Sequence, residues 1–155
     1  MNKLSKKIFF IDGVRTPFQM SGTGLKNYNC YDLGKIVLNE ISNKVYYSLT
    51  NKVDYVVMGN VIQDSKTTNI ARESMLLAKY NHKIPSYTVS MACISSNKSI
   101  TEGVNLLNAN QASAVVAGGV ETMSDTPIKL SQPLRKTLLE SRKWKTISQK
   151  MKGFS

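Results

Sequence analysis

Short apolar runs alternate with segments of helical periodicity along most of the chain, and this alternation restricts the fold more than any other feature. The runs occupy residues 8–11, 53–58, 87–91 and 114–117. Uninterrupted apolar runs of this length are typical of strands that are buried on both faces of a sheet. Strands that alternate with helices form βαβ units, so the sequence predicts an α/β fold with a mainly parallel sheet and helices on both faces.

A helix is predicted after each of these runs. The four helices are residues 32–45, with Asp32 near the N-terminal cap; residues 69–81, capped by Asn69; a helix that starts close to Cys93 and includes Leu107; and residues 134–150. After residue 124 the chain becomes basic. We therefore expect a basic extension over residues 1–7, an α/β domain over residues 8–123, and a separate, more exposed element over residues 124–155.

The chain of 155 residues has a formal net charge of +11. Much of it lies late in the sequence, at Lys129, Arg135, Lys136, Arg142, Lys143, Lys145, Lys150 and Lys152. This charge indicates either a solvated basic face or a surface for a phosphorylated ligand or a membrane. It does not indicate a nucleic-acid partner, because Trp144 is the only aromatic residue within the run.

The two cysteines, Cys30 and Cys93, and the one histidine, His82, have no spacing typical of a metal site. We therefore expect no metal and a reducing compartment. The motifs GxGxxG and GxxxxGK[ST] are absent, so no nucleotide fingerprint is present. Cys30 has the setting of a buried structural cysteine. His82 is expected at a turn, and nothing in its spacing brings it to Cys93.

Cys93 is the strongest candidate for chemistry, because it follows a buried strand and lies at or next to a helix N-terminus. Free N–H donors and positive potential at that end of a helix favour thiolate over thiol. The same amides could stabilise an oxyanion on a carbonyl under attack. The alternative is a small apolar residue that packs a strand-to-helix turn.

Four segments of the sequence resemble the thiolase family of acyl-CoA acyltransferases, in particular its mitochondrial members of fatty-acid β-oxidation. They are DGVRTPF at residues 12–18, VDYVVMGNVIQ at 53–63 with NIAR at 69–72, MACISSN at 91–97, and VAGGVETMS at 116–124. The resemblance extends from about Ile8 to the end of the chain. The opening around Arg15 favours thiolases over ketoacyl synthases, which also use a cysteine at a helix start.

The resemblance implies that Cys93 is the nucleophile in thiolysis of a 3-ketoacyl-CoA to acetyl-CoA and a shortened acyl-CoA. The Cys93 backbone N–H would serve as one oxyanion donor. Coenzyme A would be a co-substrate and no cofactor would be needed. The resemblance further implies a mitochondrial protein, a homodimer, a hydratase/dehydrogenase α subunit as partner and peripheral membrane association. Residues 124–155 would begin the family's basic loop domain.

The chain also departs from the family pattern. The Gly-His-Pro motif with the catalytic histidine and the Cys-x-Gly motif with the second cysteine are absent, and so is the strand that follows the loop insertion. We expect a chain that comprises roughly the first third of a thiolase and does not complete the reaction alone. Because the helix after Cys93 is buried between two halves in the family, this chain alone should be marginally folded, aggregation-prone or dimeric. The alternative function is that of a non-catalytic, dimerising thiolase-like partner.

Overall fold

A computed structural model of the chain describes residues 7–45, 52–146 and 148. Its helices are α1 (Cys30–Lys44), α2 (Ile70–Leu77), α3 (Ser95–Asn108) and α4 (Gln132–Ser141), and its strands are β1 (Tyr55–Gly59), β2 (Ser86–Val89) and β3 (Val115–Gly119). The strands form one parallel sheet in the order β2-β1-β3. Val56 in the central strand pairs with Ser86 on one side and Val116 on the other.

Helices cover both faces of this sheet, as the sequence predicts. Successive side chains of a strand point to opposite faces. Val56 and Met58 join a buried cluster with Leu38 of α1 and Met75 of α2. The other face of β3 packs on α3, where Gly103 approaches so closely that an added Cβ would lie 3.2 Å from Val115 Cγ1. The predicted α/β fold with a parallel sheet is therefore confirmed.

Polar side chains fix where the first two helices begin. Asn29 caps α1: its Oδ1 accepts from the Asp32 N–H at 2.9 Å, and the Asp32 carboxylate accepts from the Asn29 N–H at 3.5 Å. Asp32 thus lies near the cap, as predicted, and completes a capping box with Asn29. Asn69 caps α2 as predicted, accepting from the Arg72 N–H at 3.1 Å and donating to the Ser86 carbonyl at 3.0 Å. This second contact ties the start of α2 to β2.

The predicted strand over residues 8–11 is wrong. These residues are not in a strand, and Phe9, Phe10 and Ile11 are 78%, 87% and 70% exposed. An apolar run becomes a buried strand only where a neighbouring strand accepts its hydrogen bonds. The described sheet consists of β1, β2 and β3, and none of these strands pairs with residues 8–11. The sheet therefore has three described strands instead of the four predicted.

The described part of the basic C-terminal segment, residues 124–146, is mostly exposed. Helix α4 has no buried residue, and it ends at Ser141 instead of near Lys150. Residues 147 and 149–155 and most of the basic extension, residues 1–6, lie outside the described part of the chain. Within the described part, no helix is both long and apolar enough to cross a membrane.

Candidate functional site

Cys93 lies in the turn that joins β2 to α3, two residues before α3 begins at Ser95. Its thiol is free and exposed. Ser95 closes the turn, because its hydroxyl accepts from the Met91 N–H at 2.8 Å and donates to the Ala92 carbonyl at 2.6 Å. Ser95 itself is buried. The turn is therefore held from inside by one serine, while the cysteine is presented to solvent at the start of a helix.

The residue before the cysteine has a strained backbone. Ala92 has a φ of +48°, which places a residue with a Cβ in the left-handed region. This conformation costs about 1–2 kcal/mol for an L-residue, and it persists only where the surrounding contacts impose it. The two hydrogen bonds of Ser95 supply such contacts. Strain directly beside an exposed thiol is typical of a functional turn.

Two glycines allow the start of α3 to lie directly on the sheet. An added Cβ at Gly59, the last residue of β1, would overlap the backbone of Ser95 and Ser96. An added Cβ at Gly119, the last residue of β3, would overlap the Ser96 hydroxyl. The first-turn amides of a helix have no partner within the helix. Close packing at both glycines thus places these amides and Cys93 together at the carboxyl edge of the sheet.

A cleft of about 360 Å³ opens at this edge. Its lining comes from the segment after each strand: residues 60–62 after β1, the turn with Ala92 and Cys93 after β2, and residues 120, 121 and 123 after β3. Ligands of open parallel sheets bind outside the carboxyl ends of the strands. The cleft has this position, and Cys93 is the only cysteine or histidine that lines it.

The structure adds two polar residues to the site, Asn60 and Glu121. The Glu121 carboxylate accepts from the backbone N–H of Val61 at 2.8 Å, from that of Ile62 at 3.3 Å, and from the Asn60 amide at 3.3 Å. The Asn60 amide also donates to the Val120 carbonyl at 3.0 Å, while its Oδ1 has no partner among the described residues. Neither residue was predicted from the sequence to have a role. Their positions in the sequence could have identified them, because Asn60 directly follows Gly59 and Glu121 follows Gly119 by two residues.

Cys30 does not compete with Cys93 as a nucleophile. It is buried at the start of α1, where the Asn60 amide lies 3.9 Å from its sulfur. Burial, followed by the nearby Glu121 carboxylate, raises the pKa of the Cys30 thiol from 9.0 to about 11. At neutral pH it is therefore a protonated, inaccessible thiol, as expected for a structural cysteine.

His82 is not part of the cleft. It is exposed in the turn before β2, whereas Cys93 follows the carboxyl end of that strand. The two side chains thus belong to opposite edges of the sheet. The described residues also contain no group of three or more histidine, cysteine or acidic side chains that could hold a metal ion. The described site consists of one thiol, backbone amides, and the Asn60–Glu121 pair.

Comparison with known proteins identifies a family. The family model described as "Thiolase, N-terminal domain" matches residues 8–154. The chain is 44% identical over 146 residues to "Trifunctional enzyme subunit beta, mitochondrial" of Bos taurus, covering 94% of this chain and 30% of that protein. It is 43% identical over 145 residues to "Probable 3-ketoacyl-CoA thiolase" of Caenorhabditis elegans, covering 94% and 32%.

A solved structure agrees with these sequence matches. The crystal structure of the Bacillus anthracis acetyl-CoA acetyltransferase superposes with a TM-score of 0.72 and 33% sequence identity, covering 77% of this chain and 30% of that one. The chain thus spans about a third of the length of the curated relatives and the solved structure that it matches.

Proposed function

The chain belongs to the thiolase family, and we propose that it carries the nucleophile of an acetyl-CoA C-acyltransferase. The thiolate of Cys93 attacks the C3 ketone of a 3-ketoacyl-CoA. The C2–C3 bond then breaks, its electron pair stays on C2, and C2 takes up a proton to give acetyl-CoA. The acyl group remains on the Cys93 sulfur as a thioester.

Free coenzyme A completes the cycle. Its thiolate attacks the acyl carbonyl, the bond to the Cys93 sulfur breaks, and a shortened acyl-CoA leaves with the cysteine restored as thiolate. The amides of Ile94 and Ser95 already donate to the Met91 and Ala92 carbonyls, so the negative charge that develops on the carbonyl oxygen in both steps falls to the other amides of this turn, among them the Cys93 N–H. The proton transfers need groups beyond the described cleft, since Cys93 is the only titratable nucleophile or base in it besides Glu121.

One observation carries this proposal: the single exposed thiol of the described chain lies at a helix start, in the cleft at the carboxyl ends of three parallel strands. The names of the relatives support the reaction class, since they include a 3-ketoacyl-CoA thiolase. We further propose a mitochondrial location and a hydratase/dehydrogenase α subunit as partner, because relatives of 42–45% identity are named as mitochondrial trifunctional enzyme β subunits. Homodimer formation and peripheral membrane association are part of the same proposal.

Steady-state thiolysis by the complete gene product that contains residues 1–155 tests the assignment. Replacing the nucleophile by Cys93→Ser should lower kcat by roughly 10⁴-fold or more, the scale seen when other enzymes lose their nucleophile. Cys30→Ala is the matched control, since it removes the other thiol from outside the cleft, and it should retain activity. Turnover that survives Cys93→Ser would exclude the proposed role.

A second candidate function is that of a non-catalytic dimerising partner. The observation that favours it is the apolar surface of α3, where Ile100 and Val104 are 52% and 36% exposed. A second copy, or the remainder of a thiolase, would remove this surface from water. A complete gene product that lacks thiolysis but forms a stable dimer through α3 would favour this role over the catalytic one.

A further inference from the structure

The loop that faces Cys93 across the cleft is held by a single carboxylate. Glu121, from the segment after β3, reaches the segment after β1 and accepts three N–H donors there. The Ile62 N–H points to both oxygens of Glu121, and its nitrogen lies 3.3 Å from Oε2 and 3.4 Å from Oε1. Hydrogen bonds to an ionised acceptor are the stronger kind. The carboxylate thus fixes both the position and the orientation of the Val61–Ile62 backbone.

The same two residues form a wall that separates two hollows. Val61 and Ile62 line the cleft of Cys93, and they also line a second cavity of about 450 Å³ together with Gln63, Asp64 and Lys129. The side chains of this wall are apolar, and its only polar groups belong to the backbone. A shift of the loop would therefore widen one hollow at the expense of the other. Cys93 lies on one side of this wall, and Lys129 on the other.

We propose that Glu121 is a positioning residue that holds the Val61–Ile62 wall and thereby sets the size of the acyl group that Cys93 can accept. This inference rests on the proposed function for its substrate class, an acyl thioester. One oxygen, Oε2, accepts from the N–H groups of both Val61 and Ile62, while Oε1 accepts from the Asn60 amide. A glutamine would retain one acceptor oxygen for the wall, whereas a leucine of similar size has no acceptor at all. Glu121→Leu should therefore release the loop although it approximately conserves the size of the side chain.

Hydrogen exchange and thiol labelling test the proposal on the full chain without any need for turnover. The first readout is amide exchange at Val61 and Ile62, compared with Val57 and Met58 in the core of β1. The second is the ratio of Cys93 labelling rates with N-ethylmaleimide and the bulkier N-cyclohexylmaleimide. Both reagents carry the same maleimide electrophile, so a change in the thiolate fraction of Cys93 alters both labelling rates equally. The ratio of the two rates therefore reports the space around the sulfur.

In Glu121→Leu, exchange at Val61 and Ile62 should rise by about tenfold, while exchange at Val57 and Met58 stays unchanged. The ratio of the N-ethylmaleimide rate to the N-cyclohexylmaleimide rate should fall by about threefold or more. Glu121→Asp keeps the charge but shortens the reach by one methylene, and it should reproduce both effects. Glu40→Leu, which replaces an exposed carboxylate on α1, is the matched control and should change neither readout.

Several outcomes would overturn the proposal. These are unchanged exchange at Val61 and Ile62, a uniform rise at all four amides, an unchanged maleimide ratio, or wild-type behaviour of Glu121→Asp. Failure of the proposed function is separate, because it would appear as absent thiolysis in the wild-type gene product while the labelling results remain as stated.

Discussion

Gly59→Ala should dislodge the start of α3 from the sheet, and the structure gives the size of the effect. The three atoms nearest to the added Cβ all belong to the backbone of Ser95 and Ser96. Rotation of a side chain cannot relieve such an overlap, so the helix start itself must move. Overpacking costs typically 1–3 kcal/mol, and we expect about 3 kcal/mol here because only backbone can yield.

For a protein of this size the loss corresponds to a fall in Tm of about 6–12 °C, which calorimetry or circular dichroism would measure. Because Cys93 lies two residues before α3, its rate of alkylation by iodoacetamide at pH 7 should change as well. Gly118→Ala is the matched control in β3, since an added Cβ there meets nothing within 4 Å. Equal Tm values and equal alkylation rates for the two variants would refute the packing described for this turn.

Two further predictions concern Cys30 and α3. The pKa of Cys30 is raised from 9.0 to about 11, so the stability that comes from its protonated form is fully present below pH 9 and is lost as the pH rises through 11. Cys30→Ala should flatten that part of the unfolding profile, and an unchanged profile would contradict the burial of this thiol. Covering the exposed parts of Ile100 and Val104 contributes about 2 kcal/mol, so sedimentation velocity should show dimers or larger species that Ile100→Glu disperses. A monomeric wild-type chain with one cooperative unfolding transition would contradict this.

The sequence predicted the elements whose signals are local. Asn69 was predicted as a helix cap and is one, because a cap depends only on the next three residues. Cys93 was predicted beside a helix start, and α3 begins two residues later. The prediction of a strand over residues 8–11 was wrong because strand formation is not decided locally. The apolar composition of this run does not reveal whether a neighbouring strand is available, and in the described structure Phe10 is exposed instead.

The polar part of the site could not be predicted in the same way. Glu121 and Ile62 are far apart in the sequence, and they meet only because β1 and β3 are parallel neighbours whose carboxyl ends coincide. The strain at Ala92 has no sequence signal either, since left-handed backbone is ordinarily marked by glycine. These features depend on tertiary packing, which acts after the local elements are in place.

The most direct test of the central claim is to trap the acyl group on the protein. The complete gene product would be mixed with a 3-ketoacyl-CoA in the absence of free coenzyme A, quenched in acid, digested and analysed by mass spectrometry. We predict one acyl group per active site, on the peptide that contains Cys93, and none in Cys93→Ser. An acyl group on any other residue, or turnover without an adduct at Cys93, would contradict the assignment of this cysteine as the nucleophile.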